Sequence, residues 1–296
     1  MRSLHSLPGH DEPQVVETDR PVAGRGQVLI ETIAAAVNPV DVFVGSAAGS
    51  DIVAGGREIG LGWDVSGRVV EVGPDVTAYA VGDLVAGLDD DMVGAERALA
   101  EYVLLDADAV ALVPAGLDPV EAASIPLNSV TAHQALGLLG SPNGRTLLVT
   151  GAAGAVGGYA VALAVAAGWD VTGLGRPGDE DFVRSTGAAF TSHAEPASYD
   201  AVLDGAVLQA DGLALVRDAG TFVGVQPSQP VTPERGIAVT AVQVRRDGAL
   251  LADLLDRSVT GELAVRVAGT APLSEAATVF AKVGGGGQRG RWLLVP

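Results

Sequence analysis

Three small residues, Ala152, Gly154 and Gly157, lie in the run LLVTGAAGAVGG at the spacing G-x-G-x-x-G, with alanine in the first place. Between a strand and a helix, that spacing offers capture of a diphosphate. Gly154 lets the backbone approach a pyrophosphate, and Gly157 lets helix and strand pack closely. The backbone of Ala152, Ala153, Gly154, Ala155, Val156 and Gly157 is then the candidate cofactor cradle, with N–H donors at the helix start. The next strand, VTGLG, ends without the carboxylate that holds the ribose hydroxyls of NAD, and Arg176 follows it. An arginine there grips a 2′-phosphate with a bidentate, charge-assisted pair, which favours NADP(H). Asp179, Glu180 and Asp181 stand close behind as competing partners.

The same run admits other readings. No charge falls between Arg145 and Asp170, a length that a membrane span needs, and Gly154 with Gly158 forms G-x-x-x-G. Glycines at 151, 154, 157 and 158 speak against a long helix, because each costs up to about 1 kcal/mol relative to alanine. No second span follows and no basic cluster flanks the run. A buried strand–turn–helix without a ligand is the other alternative. The Tyr-x-x-x-Lys pair of short-chain reductases is absent, since Lys282 is the sole lysine.

The elements that must position these residues change character near Pro114. Before it, GQVLIETIAAAV, GWDVSGRVVEVG, VGDLVAG and AEYVLLDADAVALVP read as strands joined by turns, in a small antiparallel barrel or sandwich. After it, Asp118 and Pro119 start a helix in DPVEAASIP, and SVTAHQALGLLG continues helical. Strand-like TLLVT, WDVTGLG, AVLDGA and TFVGV then alternate with helix-like GGYAVALAVAAG, DEDFVRSTGA and LALVRDAG. That alternation predicts a parallel sheet with crossover helices. DGALLADLLDRSVTG reads as a helix, LAVRVAG as a strand, SEAATVFAKV as a helix and GRWLLVP as a final strand. A β-rich part bounds an α/β part on both sides, so the two ends of the chain are expected to form one domain.

Composition narrows the function. At 296 residues two domains are expected, and 48% hydrophobic with 4% aromatic residues predicts an aliphatic core. A net charge of −18 disfavours nucleic acid and anionic membranes as partners and serves solubility. Without cysteine there is no disulfide and no thiol nucleophile. Histidines 5, 10, 133 and 193 share no zinc-ligand spacing. MRSLHSLPGHDEPQ has no apolar run of signal-peptide length, so a cytoplasmic protein is expected.

In the order of its segments, the chain resembles the medium-chain dehydrogenase/reductase superfamily, in its zinc-free quinone oxidoreductase (zeta-crystallin-like) branch. AAVNPVDVFVG resembles the family's V-N-P-x-D segment, and LGWDVSGRVVEVGPDVTAYAVGDLVAG its G-x-D-x-x-G-x-V…G-D-x-V signature. AASIPLNSVTAHQAL, the AAGAVG turn, YDAVLDGA and GRWLLVP follow in the family's order. The resemblance implies an α/β chain: a GroES-like β-rich catalytic domain at 1–117 and 261–296, and a Rossmann doubly wound parallel-sheet domain at 118–260. It implies that Asn38 lines the cleft near the nicotinamide and that Thr131 helps position that ring. Asp41 takes a supporting catalytic role, with a fold-stabilising carboxylate as the competing reading. Asn38-Pro39 read alone is also a plain turn signal. Arg291 stands for the more usual lysine and is placed to approach the cofactor. His193 falls where a family aromatic covers the adenine, with an inert surface histidine as the alternative. Val225 closes the TFVGV strand and joins the cofactor set.

Zinc-dependent members carry a cysteine at the Asn38 position. This chain has no cysteine, and no histidine near Asn38 or Asp64, so no metal is expected. Simple alcohol oxidation needs a Lewis acid, whereas quinones and α,β-unsaturated carbonyls spread negative charge by conjugation. The resemblance therefore implies an NADPH-dependent reductase of a small-molecule quinone or enone, acting as a homodimer. An enoyl-thioester reductase and a non-catalytic or non-redox NADPH-binding protein are the alternatives. Enoyl reductases that use a tyrosine after N-P-x-D are not matched, because FVGSAAGSD has none.

Overall fold

The chain opens with β1 (Arg2–Ser6), buried from Ser3 to Ser6, and β2 (Gln14–Glu17), paired antiparallel. β3 (Gln27–Val37) is the longest strand, and Val28, Leu29, Ile30 and Ala34 to Val37 are buried along it. Asn38 opens α1 (Pro39–Val44); α2 (Ala47–Ala54) and the short β4 (Ile59–Gly60) follow, and β4 joins β1. β5 (Asp64–Val72), β6 (Leu84–Leu88), β7 (Tyr102–Asp106) and β8 (Val110–Leu112) complete the β-rich part. The computed structural model describes all of residues 1–296.

Asp118 accepts the N–H of Val120 at 2.7 Å and caps α3 (Pro119–Ala122), with proline at the first helical position as the sequence indicates. After α4 (Pro126–Leu139) come β9 (Thr146–Thr150), α5 (Ala155–Ala166), β10 (Asp170–Leu174), α6 (Glu180–Ser185) and β11 (Ala189–Thr191). β12 (Tyr199–Asp204), α7 (Ala210–Ala214), β13 (Val216–Gly224) and β14 (Ala238–Ala241) finish this part. Its six strands are all parallel, in the order β11-β10-β9-β12-β13-β14, the doubly wound arrangement.

The chain ends with α8 (Gly248–Val259), β15 (Val267–Pro272), α9 (Ala276–Gly284) and β16 (Arg291–Val295). β16 pairs with β3, so the C-terminus enters the first sheet, ordered β15-β16-β3-β5-β6-β8 with β7 also on β3. The two compact units are Met1–Leu127 with Arg246–Val259 and Val265–Pro296, and Asn128–Arg245 with Thr260–Ala264.

Three expectations change. LALVRDAG is not one helix: α7 stops at Ala214 and β13 begins at Val216. Buried Val216 pairs with Tyr199 of β12, and the Arg235 guanidinium binds the carbonyls of Leu213 and Val216, so tertiary pairing overrides local helical pattern. LAVRVAG becomes strand only from Val267, where pairing with Arg291 of β16 starts. α3 and α8 belong to the first unit rather than to a 118–260 domain. Leu251 and Leu255 of α8 pack with Ala111, Leu117, Ala122 and Ile125, and periodicity cannot tell which layer a helix covers. As expected, Leu147 to Trp169 is a strand, a turn and a 12-residue helix; no helix is long and apolar enough to cross a membrane.

Candidate cofactor and active site

In the parallel sheet, strand order reverses at β9: the chain passes through α5 to β10 on one side, while β12 lies on the other. The crevice at the C-terminal ends of β9 and β12 is where such sheets take ligands. Thr150 ends β9 and donates its hydroxyl to Asp204 Oδ1 at 2.6 Å across this point. Buried Asp204 also accepts the N–H groups of Leu208 at 3.0 Å and Gln209 at 2.8 Å, which ties down the loop after β12.

Gly151 turns the chain out of β9 with φ +61°, a conformation that favours glycine. Gly157 lies on the first turn of α5, against that bend, and a Cβ there would collide with the Gly151 carbonyl. The glycine is thus needed for helix and turn to touch, as its spacing indicates. Ala152 and Ala153 point inward and are buried. The N–H of Ala152 donates to Leu174 O at 3.1 Å, so this amide fastens the turn to β10 and is engaged within the fold. Gly154, Ala155 and Val156 are only half-buried. The first bond of α5 runs from Gly158 N–H to Gly154 O at 2.9 Å, so the Ala155 and Val156 amides precede the helical ladder. Half-buried residues whose amides lie outside the helical ladder, at the start of a 12-residue helix, fit a diphosphate.

Arg176 follows β10, the neighbour of β9. Its backbone N–H donates to the buried Asp179 carboxylate at 3.0 Å, while its side chain is exposed. Arg176 forms no ion pair, and Glu180 instead holds Arg184 at 2.8 Å. His193 lies in the loop after β11, exposed, with Nε2 3.5 Å from Glu195. Val225 directly follows the C-terminal end of β13 and is half-buried. Thr131 is buried in α4, near Asn128 and Ser129 in sequence.

In the first unit, Asn38 and Asp41 meet two residues that sequence spacing does not connect with them. Asp41 accepts the N–H of Asn38 at 2.8 Å and that of Gly62 at 2.9 Å, so one carboxylate oxygen holds the start of α1 and the other the link between β4 and β5. The Asn38 side-chain amide donates to Asp64 Oδ2 at 2.7 Å, and Leu127 N–H donates to Asp64 Oδ1 at 2.5 Å. Asn38, Asp41 and Asp64 are at most 1% exposed. Burial pushes the Asp41 carboxyl up to about 6, against the lowering effect of the Asn38 and Gly62 amides and of Arg97 and Arg291. Burial pushes Asp64 up to about 7; Asp41 adds to the rise, and Leu127, Asn38 and Arg291 oppose it. Arg97 is itself buried, bonded to Asp89 and stacked 4.7 Å over Trp63. Trp292 pairs with Val37, which sets Arg291 at the Asn38 end of β3. No group of three or more His, Cys, Asp or Glu side chains could hold a metal ion.

Two family models match the chain. Residues 24–115 match the alcohol dehydrogenase GroES-like domain, and residues 178–294 match zinc-binding dehydrogenase. A 2-methylene-furan-3-one reductase of Solanum lycopersicum is 33% identical over 212 residues, 67% of this chain and 54% of that protein. A chloroplastic quinone-oxidoreductase homolog of Spinacia oleracea is 32% identical over 186 residues, 61% of this chain and 56% of that protein. A mycobacterial protein solved in complex with NADPH superposes with a TM-score of 0.83 at 25% identity, covering 100% of both chains. The chain spans about half the length of the curated relatives it matches.

Proposed function

We propose that this chain, a member of the medium-chain dehydrogenase/reductase superfamily, is an oxidoreductase, namely an NADPH-dependent reductase of a quinone or an α,β-unsaturated carbonyl. The observation that carries the reading is the glycine turn at the β9/β12 switch point, with exposed Arg176 at the end of the adjacent strand. The start of α5 binds the diphosphate and Arg176 binds the 2′-phosphate. Thr131 and Asn38 orient the nicotinamide and the acceptor, while Asp41 and Asp64 hold Asn38 in place. Val225 lies at the strand end on the same edge of the sheet, His193 covers the adenine, and Arg291 supports Asn38 with positive charge. Bound NADPH supplies a hydride to the conjugated acceptor, and the proton that completes the reduction comes from water. The mycobacterial complex with NADPH and the spinach and tomato relatives support this cofactor and substrate class. The reading includes a homodimer formed along β14, the edge strand of the parallel sheet.

A single-turnover assay tests it. Protein and NADPH are mixed with a panel of quinones and enones, and the absorbance of the reduced nicotinamide is followed. Bleaching with one class of acceptor supports the reading. NADPH binding without oxidation by any acceptor makes the protein a non-redox NADPH binder, and absence of binding removes the redox assignment altogether.

A further inference from the structure

Residues 205–209 leave the C-terminal end of β12 with an unusual backbone. Val207 has φ +58°, and Gln209 has φ +58° with ψ −116°. The left-handed region suits glycine, and a β-branched valine there is a true outlier. Such a conformation persists only where its surroundings impose it. Here one hydroxyl and one buried carboxylate impose it. Thr150 Oγ1 accepts the Ala206 N–H at 3.0 Å and donates to Asp204 Oδ1 at 2.6 Å. Asp204 Oδ1 also accepts the Leu208 N–H at 3.0 Å, and Oδ2 accepts the Gln209 N–H at 2.8 Å. Three backbone amides thus converge on the Thr150–Asp204 pair, while Val207 and Leu208 stand outward, 42% and 37% exposed.

This segment lies against the glycine turn. A Cβ on Gly205 would stand 2.9 Å from the Thr150 carbonyl oxygen and 3.6 Å from the Gly157 backbone, and a Cβ on Gly151 would stand 3.2 Å from Ala206. At its other end, Gln209 Nε2 donates to Gln226 Oε1 and to the Gln229 carbonyl, each at 3.2 Å. Gln226 follows Val225, just past the end of β13. The segment that carries the exposed valine and leucine thus runs from the diphosphate turn to the strand end assigned above to the cofactor.

We propose that residues 205–209 form an apolar wall of the dinucleotide groove, with Val207 and Leu208 packed on a part of the cofactor that NADPH and NADH share, and that Thr150 and Asp204 are the positioning residues that hold this wall. The proposal rests on the cofactor reading above. Neither side chain carries a charge or a hydrogen-bonding group, so neither senses the 2′-phosphate; that discrimination stays with Arg176. Two exposed apolar side chains need no explanation by themselves. A strained backbone that presents them beside a ligand turn does. Asp204 also serves the start of α7, but a helix cap requires neither a left-handed valine nor the link through Thr150.

The experiment measures the dissociation constants of NADPH and NADH on the full chain by fluorescence titration, with urea unfolding of each variant. Leu208→Ala and Val207→Gly remove the wall. Each is expected to raise both constants by the same factor, about five- to tenfold, the scale of losing part of a buried aliphatic side chain. Val207→Gly should do so without unfolding earlier than the wild type, since glycine accepts the left-handed backbone. Thr150→Val cuts the link from Ala206 to Asp204 and should weaken both cofactors likewise, whereas Thr150→Ser keeps the hydroxyl and should bind like the wild type. Unchanged constants in Leu208→Ala and Val207→Gly overturn the wall. Loss for NADPH alone overturns it too, by moving the segment to the 2′-phosphate. A Thr150→Val protein that is less stable yet binds like the wild type overturns the positioning role. Leu208→Ala decides on the wall even where Thr150→Val fails to fold. A wild type that binds neither cofactor removes the cofactor reading itself. A wild type that binds, beside wall variants that bind equally well, removes the wall and leaves the reading.

Discussion

The turn between β9 and α5 and the nest around Asn38 solve different problems. The turn must bring backbone close to a ligand, so between Gly151 and Gly157 it is built from glycine and alanine apart from Val156. The nest must hold polar groups rigidly out of water, so it collects Asn38, Asp41, Gly62, Asp64 and Leu127 from separate elements and has Arg97 and Arg291 close enough to act on it. The turn is limited by sterics and the nest by electrostatics. Substitutions should therefore fail in different ways in the two places.

The largest effect is expected at Arg97. Its guanidinium is buried and bonded to Asp89, whose own carboxyl is pushed up by burial and held down first by Arg97. Arg97→Ala leaves that carboxylate without its cation and strips the stacking partner from Trp63. Breaking a buried pair by removing one partner costs about 3–5 kcal/mol. Urea unfolding should show that loss, and a loss below about 1 kcal/mol would mean that the nest is not electrostatically closed.

The next contrast is pH. The Asp64 carboxyl stands at about 7 in the fold against 3.8 in the unfolded chain. Below the unfolded value it is neutral in both states. As pH rises from there, the unfolded chain ionises while the folded protein keeps its proton, so stability falls until the folded carboxyl ionises as well. Asp64→Asn removes that term. At alkaline pH the variant should gain on the order of 4 kcal/mol over the wild type relative to the comparison at acid pH. Parallel unfolding curves for the two proteins across the whole range would refute it.

In the turn, charge matters less than space. Gly157→Ala places a methyl against the Gly151 carbonyl and should cost about 3 kcal/mol, the upper end for overpacking, together with NADPH binding. Gly137 supplies the control. It is in α4, and an alanine methyl there would meet nothing within 4 Å, so Gly137→Ala should gain about 0.5–1 kcal/mol. Equal responses at the two glycines would erase the difference between a glycine that is required and one that is merely present.

That difference also explains what a linear reading can see. The turn's demands fall on neighbouring residues, so G-x-x-G spacing after LLVT is enough to place it. Asp118 and Pro119 likewise announce α3 within a few residues. Asp64 lies in a recognisable stretch, yet nothing local links it to Asn38, 26 residues away, or to the amide of Leu127, 63 residues away. Arg97 carries no local signal, because an arginine in ERALA reads as solvated until the structure buries it. The start of β13 reads as helix for the same reason: Val216 to Gly220 shows helical composition, and its pairing with β12 is a long-range fact.

The smallest expected effect sharpens the comparison most, because it separates binding from folding. Arg176 is exposed and forms no ion pair, and only its backbone is used by the fold, its N–H donating to the Asp179 carboxylate and its carbonyl accepting the Asp179 N–H. Arg176→Ala should therefore leave the unfolding midpoint within about 0.5 kcal/mol of the wild type, as for a surface substitution. NADPH affinity should weaken by about 1.5–3 kcal/mol, the scale of hydrogen bonds to a charged group, while NADH affinity stays nearly unchanged. Fluorescence titration with both cofactors measures this. Equal loss for the two would transfer the role of Arg176 from the 2′-phosphate to the loop itself. The cofactor preference would then have to come from elsewhere on the β10–β11 edge.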